Sequence, residues 1–193
     1  MTDTDRTDRV LVVDDEAAYT DLLAAWLEAD YAVETATSGR EALDALDALD
    51  SDVDVVLLDR RMPGLSGNEV LERLDDMDCT CGVAMVTAVE PSFDVVDMGF
   101  DDYLVKPISR ERLRDVVDAL LDRTAYEERV QELFSLASKK AVLEERHTRT
   151  ELESSAEYAR LDERFARTFE ELDGVLGSLS ETEYEELFRQ FEG

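Results

Sequence analysis

The stretch that decides the fold is residues 53–67, VDVVLLDRRMPGLSG, in which an apolar run ends on one acid and passes into a Pro/Gly turn. Apolar residues fill almost every position from Val53 to Leu58. This pattern favours a parallel strand buried on both faces over a half-exposed antiparallel strand. Asp59 follows directly. Because open α/β sheets bind ligands beyond the carboxyl ends of their strands, the pattern predicts that Asp59 lies at a binding edge.

Strand-like and helical patterns alternate over the first 122 residues. A short helix is expected over residues 93–100, and another begins at Ser109. Five βα units predict an α/β fold, a five-stranded parallel sheet with helices on both faces. The predicted strands are residues 10–13, 31–36, 53–58, 82–87 and 102–105.

Helix starts and helix faces can also be located. Ser38 with Glu41 and Ser66 with Glu69 each form a capping box, which marks the beginning of a helix. The first helix is predicted from residue 17 to about residue 29. Its expected buried face contains Tyr19, Leu22, Leu23, Trp26 and Leu27.

The composition is strongly acidic: 49 acidic and 20 basic residues give a net charge of -29 and a pI of about 4.1. Such a surface repels nucleic acids and anionic membranes. The acids are spread through segments with clear apolar periodicity, and hydrophobic residues make up 44% of the chain, so a folded core is expected. An acidic surface of this kind is expected in a protein that works at high salt, where charges are screened.

The organisation predicted along the chain is a polar tail over residues 1–8, an α/β domain over 9–122 and a helical domain over 123–193. No apolar run is long enough to insert into a membrane, and the N-terminus lacks a signal-peptide core, so a cytoplasmic protein is expected.

The two cysteines, Cys79 and Cys81, are too few for a closed zinc site. The favoured interpretation is that they are two small residues in a loop.

Polar side chains follow four of the predicted strands where each strand ends. Clustered carboxylates repel one another unless a cation is present, and Mg²⁺ is the ion that such oxygen ligands suit. With Mg²⁺ held mainly by Asp15 and Asp59, an oxygen of Asp59 can attack a phosphoryl group in line, forming an acyl phosphate. Lys106 would neutralise charge and Thr87 would hydrogen-bond the phosphoryl group. The strand-end residues are Asp14, Asp15, Asp59, Thr87, Lys106 and Pro107.

Four short motifs carry a family resemblance: VDDE at 13–16, LLDRRMPGLSG at 57–67, VTA at 86–88 and YLVKP at 103–107. In this order and spacing, over roughly residues 10–121, the chain resembles the receiver domains of two-component response regulators. The resemblance implies a flavodoxin-like sheet with strand order 2-1-3-4-5. It also implies phosphorylation by a sensor histidine kinase, and no enzymatic activity beyond accepting the phosphoryl group and slowly releasing it.

The resemblance assigns a role to each strand-end residue. Asp59 would be the phosphoacceptor, Asp14 and Asp15 the acid pocket, and Arg61 would bind the metal through its backbone carbonyl. Ala88 would bind phosphate beside Thr87, the switch hydroxyl, with Tyr103 as the switch aromatic and Lys106 as the phosphate-pairing cation. The Lys106–Pro107 bond would be cis. Phosphorylation would then reshape the surface of the fourth helix, fifth strand and fifth helix, and a downstream protein partner or a second copy of the chain is expected to bind this receiver face.

Two other classes of protein use related chemistry or folds. Aspartyl-phosphate hydrolases place a second carboxylate at the position where Arg61 stands here. Nucleotide-binding flavodoxin-like domains need a Gly-rich loop after the first strand, and this chain has DDEAAY at 14–19.

The amino-acid composition changes after residue 122, where proline is absent and amphipathic helices are predicted. LFSLASKKAVLE at 133–144 and SAEYARL at 155–161 resemble the HalX domain that follows receivers in halophilic archaea.

For residues 123–193, a helical hairpin that packs on itself is favoured, with a dimerising or partner-docking element as the alternative. DNA binding is disfavoured because residues 123–193 hold 10 basic and 18 acidic residues, a net charge of -8. A first stripe contains Tyr126, Val130, Leu133, Phe134 and Ala137, a second Leu161, Phe165, Phe169, Leu172, Leu176 and Leu179, and Ser180 with Glu183 begins a last short helix.

Overall fold

A computed structural model describes residues 6–49, 52–77 and 79–176 of the chain. The described residues form two compact units, one up to Thr124 and the other from Ala125 onward. Each unit has its own packing and is treated separately below.

The first unit contains a five-stranded parallel sheet with the order β2-β1-β3-β4-β5, which confirms the predicted fold class. A 3₁₀ helix, Phe93–Asp97, lies between β4 and β5 in the chain. The strands are β1 (Arg9–Val13), β2 (Ala32–Ala36), β3 (Val55–Leu58), β4 (Gly82–Thr87) and β5 (Asp102–Val105). The helices are α1 (Ala17–Leu27), α2 (Gly39–Ala48), α3 (Gly67–Asp76), α4 (Arg110–Arg146), α5 (Arg149–Ser154) and α6 (Ala156–Leu176).

The central strands are buried on both faces, as their apolar runs predict. Alternate residues of β1 point to opposite faces, with Val10 and Val12 in one core cluster and Leu11 and Val13 in the other. The first cluster packs against α1 and the beginning of α4, and the second packs against α2 and α3. Both faces of the sheet are therefore covered by helices.

Strand register brings the carboxyl ends of the strands level with one another. Val13 pairs with Leu58, and Thr87 pairs with Val105. The backbone pairing continues one residue further, since Asp59 N donates to Val13 O at 2.8 Å and Lys106 N donates to Thr87 O at 2.8 Å. The residues that follow the strands therefore lie along one edge.

One local prediction in the first unit was wrong, and another was right only in part. Leu22 is 42% exposed, because the buried stripe of α1 consists of Thr20, Leu23, Ala24 and Leu27, and Leu22 lies one helical step to the side. The short helix expected over residues 93–100 is present as a five-residue 3₁₀ helix, Phe93–Asp97, which ends three residues earlier than expected. The proline at 91 and the glycine at 99 leave room for little more than one turn.

The helix that begins after Ser109 crosses the predicted domain boundary at residue 122. It continues to Arg146 without a break, because residues 108–148 contain neither glycine nor proline and are rich in Ala, Leu, Glu and Arg. The division between the two units therefore falls inside α4.

The second unit is a helical hairpin in which the last part of α4 runs antiparallel to α6. Arg164 Nε donates to Glu132 Oε1 at 2.6 Å, and Lys140 forms an ion pair with Asp162. The Lys140 ammonium also lies 4.9 Å from the centre of the Phe165 ring. The self-packed hairpin that the sequence favoured is thus present.

The hairpin seam differs from the predicted stripes at two aromatic positions. Phe134 is 65% exposed and Phe169 is 52% exposed, whereas Leu136, Thr168 and Leu172 are buried. Spacings of three and four along α6 place Thr168 toward the partner helix and Phe169 on its flank. Leu179 and the predicted helix after Ser180 lie outside the described residues. Within the described part of the chain, no helix is long and apolar enough to cross a membrane.

Candidate functional site

An open cleft of about 620 Å³ lies at the carboxyl edge of the sheet. It gathers residues from the loops after β1, β3, β4 and β5, as the parallel topology requires. Of the residues that the sequence singled out, Tyr103 and Pro107 do not line it, and Glu16 and Val89 are additions. The lining residues are Asp14, Asp15, Glu16, Asp59, Arg61, Thr87, Ala88, Val89 and Lys106.

Asp59 is 5% exposed and uses both carboxylate oxygens. Its Oδ1 accepts a hydrogen bond from Lys106 Nζ at 3.1 Å, and its Oδ2 accepts one from Arg61 N at 2.8 Å. A buried carboxylate needs such partners because an unpaired charge is costly away from water. The two bonds fix the carboxylate at the floor of the cleft.

The loop after β1 supplies two acids in different environments. Asp14 is 4% exposed, and its Oδ1 accepts from Glu16 N at 2.9 Å while its Oδ2 accepts from Lys106. Asp15 is exposed at the mouth of the cleft. The cleft therefore combines a buried carboxylate pair with a third that remains accessible to solvent.

Lys106 joins the two buried carboxylates through one ammonium group. Burial lowers the pKa of Lys106, but its hydrogen bonds to Asp14 and Asp59 and their negative charges outweigh burial, so the pKa is raised above its ordinary value. Lys106 therefore stays cationic at neutral pH. The peptide bond between Lys106 and Pro107 is cis.

Tyr19 is a site neighbour whose role the sequence did not reveal, because helical periodicity placed it among core residues. Lys106 Nζ lies 4.4 Å from the centre of its ring, within cation–π range. Among the described residues its buried hydroxyl has no hydrogen-bond partner. Burial, chiefly, raises the pKa of Tyr19. The Tyr19 ring thus packs against the Lys106 ammonium group beside the two carboxylates that it pairs with.

Thr87 and Tyr103 are linked through the backbone of Val89. The Thr87 Oγ1 accepts from Val89 N at 3.3 Å, and the Tyr103 hydroxyl donates to Val89 O at 2.9 Å. Thr87 is 1% exposed, and the Tyr103 ring lies 5.4 Å from that of Phe100. One residue of the loop after β4 therefore contacts both polar groups.

The loop after Asp59 depends on two glycines. Gly64 has φ of 79°, a conformation that favours glycine. Gly67 begins α3 so close to the preceding loop that a Cβ there would lie 2.2 Å from Asp59 O. The capping box of Ser66 and Glu69 that the sequence predicted is present at this helix start.

The donors at this cleft fit a hard divalent cation. Four acidic residues line it, Asp14, Asp15, Glu16 and Asp59, and Mg²⁺ binds through one or two carboxylates, with waters and phosphate oxygens completing its octahedron. In the described ranges, no three His, Cys, Asp or Glu side chains are gathered into a metal centre.

On this flavodoxin-like sheet, a strand-end carboxylate held by a lysine beside further acids and a buried hydroxyl is the arrangement that in-line phosphoryl transfer to a carboxylate would require. Residues 10–118 match the family model described as the response regulator receiver domain, and residues 122–188 match that of the HalX domain. The chain belongs to the response regulator receiver family. Receiver domains of this family generally bind Mg²⁺ at the phosphorylation site.

Three relatives illustrate the match. The chain is 49% identical over 138 residues to a protein of Haloferax volcanii described as a proposed transcriptional regulator, covering 71% of this chain and 23% of that protein. It is 38% identical over 121 residues to the transcriptional regulatory protein ResD of Bacillus subtilis, covering 61% and 49%. The CheY-like receiver domain structure from Methanospirillum hungatei is 28% identical with a TM-score of 0.57, covering 63% of this chain and 99% of that one. The chain thus spans about half or less of the length of the Haloferax volcanii and Bacillus subtilis regulators.

Proposed function

We propose that the chain is a phosphorylation-controlled switch in which Asp59 accepts a phosphoryl group from a phosphohistidine of a sensor kinase. One observation carries this proposal: the Asp59 carboxylate lies at the floor of an open cleft, held by Lys106 and by the backbone of Arg61. A nucleophile fixed in this way needs only an in-line phosphoryl donor. The names of the relatives are those of regulators, which supports a signalling role.

The proposed transfer is a displacement at phosphorus. An Asp59 oxygen attacks phosphorus, the phosphorus–nitrogen bond breaks, and the leaving imidazole nitrogen takes up a proton. Asp14, Asp15, Asp59 and the Arg61 carbonyl would hold Mg²⁺, which neutralises negative charge on the transferring oxygens when bound. Attack of water on the phosphorus of the acyl phosphate would then break its bond to the Asp59 oxygen and release inorganic phosphate, and this slow self-dephosphorylation is the only other reaction assigned to the chain.

Residues around Asp59 would bind the phosphoryl group after transfer. Lys106 already donates to Asp59 Oδ1 and can pair with a phosphoryl oxygen. Thr87 offers a hydroxyl, and the Ala88 backbone N–H lies in the same loop along the cleft. These donors come from the ends of β4 and β5. In the phosphorylated protein, their hydrogen bonds would therefore link both strand ends to the phosphoryl group on Asp59, which follows β3.

The proposed switch passes through Val89. If Thr87 turns its hydroxyl toward the phosphoryl group, it gives up its bond from Val89 N, and the Val89 carbonyl that holds Tyr103 is free to move. Tyr103 can then rotate toward the space that Thr87 leaves. The 3₁₀ helix, β5 and the beginning of α4 correspond to the output surface of the fourth helix, fifth strand and fifth helix.

The process controlled by this switch is proposed to be transcription, because several relatives carry that role in their names. Direct DNA contact by residues 123–193 is disfavoured by their net charge of -8. We therefore favour a protein partner or a second copy of the chain as the target. Light scattering with and without beryllofluoride tests the second copy: a change in mass supports dimer formation, and a constant monomer removes it.

The experiment that tests the proposed function is incubation with acetyl phosphate and Mg²⁺ in high salt. One phosphoryl group per chain is expected, with none in the Asp59→Asn variant and none when EDTA removes the metal. Sustained release of phosphate over many turnovers would indicate the hydrolase alternative. Absence of labelling in the folded wild-type chain would contradict the proposal.

A further inference from the structure

Cys79 and Cys81 lie in the loop that connects α3 to β4, away from the cleft. Both thiols are half-buried, and both pack against the core cluster on the α2 and α3 side of the sheet. Backbone bonds anchor the loop at both ends: Cys79 N donates to Leu74 O at 3.3 Å and Gly82 N donates to Asp54 O at 2.8 Å. The two cysteines are therefore held between fixed elements.

Their sulfur atoms face each other, with 2.7 Å between Cys79 Sγ and Cys81 Sγ. The bond in a disulfide is about 2.05 Å long, so closing the pair needs only a small movement. Residues 79–81 belong to neither helix nor strand. A redox-active dithiol requires that its two sulfur atoms lie close enough to form a disulfide bond, and this pair meets that requirement.

The protonation of the pair supports this interpretation. The hydrogen bond between the two thiols lowers the pKa of Cys79 to about 7, because hydrogen bonding stabilises the thiolate. The same hydrogen bond, together with burial, raises the pKa of Cys81. One thiol of the pair is thus ready to react near neutral pH while its neighbour keeps its proton.

We propose that Cys79 and Cys81 form a redox-active dithiol that is oxidised to an intramolecular disulfide by low-molecular-weight disulfides. The Cys79 thiolate attacks one sulfur of the small disulfide, whose S–S bond breaks, and the first small thiolate leaves and takes up a proton. Cys81 then loses its proton and attacks Cys79 Sγ, which expels the second small thiolate, and this thiolate is protonated in turn. Two cysteine thiols are oxidised, and one small disulfide is reduced to two thiols.

The test uses the folded full chain in high salt at pH 7.5 with excess oxidised glutathione. Samples are quenched with acid, alkylated and measured by intact and peptide mass spectrometry. Loss of two hydrogen atoms within one peptide is expected, with Cys79 linked to Cys81 in a monomeric chain. Ring closure should be at least about tenfold faster in the folded chain than in the same chain in guanidinium chloride, because the fold aligns the sulfurs.

Single variants separate the two roles. Cys81→Ser should stop at a mixed disulfide between Cys79 and glutathione, and Cys79→Ser should form its mixed disulfide at Cys81 more slowly, because burial still raises the pKa of that thiol. Circular dichroism of each variant checks that it is folded. A lasting mixed disulfide in wild type, disulfide-linked dimers alone, thiols that remain free, or equal closure rates in the folded and denatured chains would overturn the proposal.

Discussion

Lys106 Nζ donates to Asp59 Oδ1 at 3.1 Å while also pairing with Asp14, so a single cation holds together two carboxylates that would otherwise repel. All three side chains are buried or nearly so, and little water screens their charges. The same arrangement that stabilises the resting site also presents a cation to an arriving phosphoryl group.

Replacing the cation should therefore reduce stability and make stability depend on the metal. We expect Lys106→Met to lower the free energy of unfolding by about 2 kcal/mol in metal-free buffer, because two buried carboxylates lose their partner. Mg²⁺ should raise the melting temperature of this variant more than that of wild type, since the ion supplies the missing positive charge. Calorimetry with and without EDTA measures both effects, and equal Mg²⁺ responses would count against the shared cation.

The pH dependence of this pairing has a definite sign. The pKa of folded Lys106 is raised above its ordinary value of 10.5, so its contribution is fully present below pH 10.5 and is lost as pH rises through the folded pKa. The difference in unfolding free energy between wild type and Lys106→Met should stay constant from pH 7 to about pH 10 and shrink above that. Denaturant unfolding at each pH measures it. A difference that vanishes by pH 8 would refute the assignment of a raised pKa.

Tyr19 is expected to act as a positioning residue for Lys106. Tyr19→Leu removes the ring beneath the ammonium and should slow phosphorylation by acetyl phosphate by about three- to tenfold, since a cation–π contact contributes about 0.5–2 kcal/mol. Tyr19→Phe keeps the ring and removes only a hydroxyl without a described partner, so it should retain the wild-type rate. Equal loss in both variants would show that the hydroxyl, rather than the ring, is what the site needs.

The close approach of α3 to the phosphoacceptor loop gives another prediction. Gly67→Ala places a Cβ against Asp59 O and should cost about 1–3 kcal/mol of stability and displace the Asp59 backbone, slowing phosphorylation. Gly99→Ala is a matched control, because a Cβ at Gly99 meets nothing within 4 Å. If both variants behave as wild type, this packing does not constrain the site.

The sequence predicted the sheet and the cleft because both depend on strong local signals. The apolar run that ends at Asp59 indicates a buried parallel strand, and parallel strands necessarily bring Asp14, Thr87 and Lys106 to one edge. The contact of Tyr19 with Lys106 depends on the angle of α1 to the sheet, which periodicity does not contain. The hydrogen bonds of Val89 were also beyond prediction, because they depend on the course of an irregular loop.

Helix ends and hairpin seams were less predictable than strands. The predicted domain boundary at residue 122 rested on a change in composition, and a change of that kind does not break a helix that lacks glycine and proline. Phe134 and Phe169 fit an amphipathic stripe as well as their neighbours do. In the antiparallel packing of α4 and α6, however, Leu136 and Thr168 are buried and the two phenylalanines are exposed.

The central claim is that the Asp59 carboxylate accepts phosphorus, and the most direct measurement identifies the modified side chain. The chain is phosphorylated with acetyl phosphate and Mg²⁺, reduced with borohydride, which converts an aspartyl phosphate to homoserine, and sequenced by mass spectrometry. We predict homoserine at position 59 and nowhere else. An intact aspartate at 59 in a phosphorylated chain, or homoserine at Asp14 or Asp15, would contradict the claim.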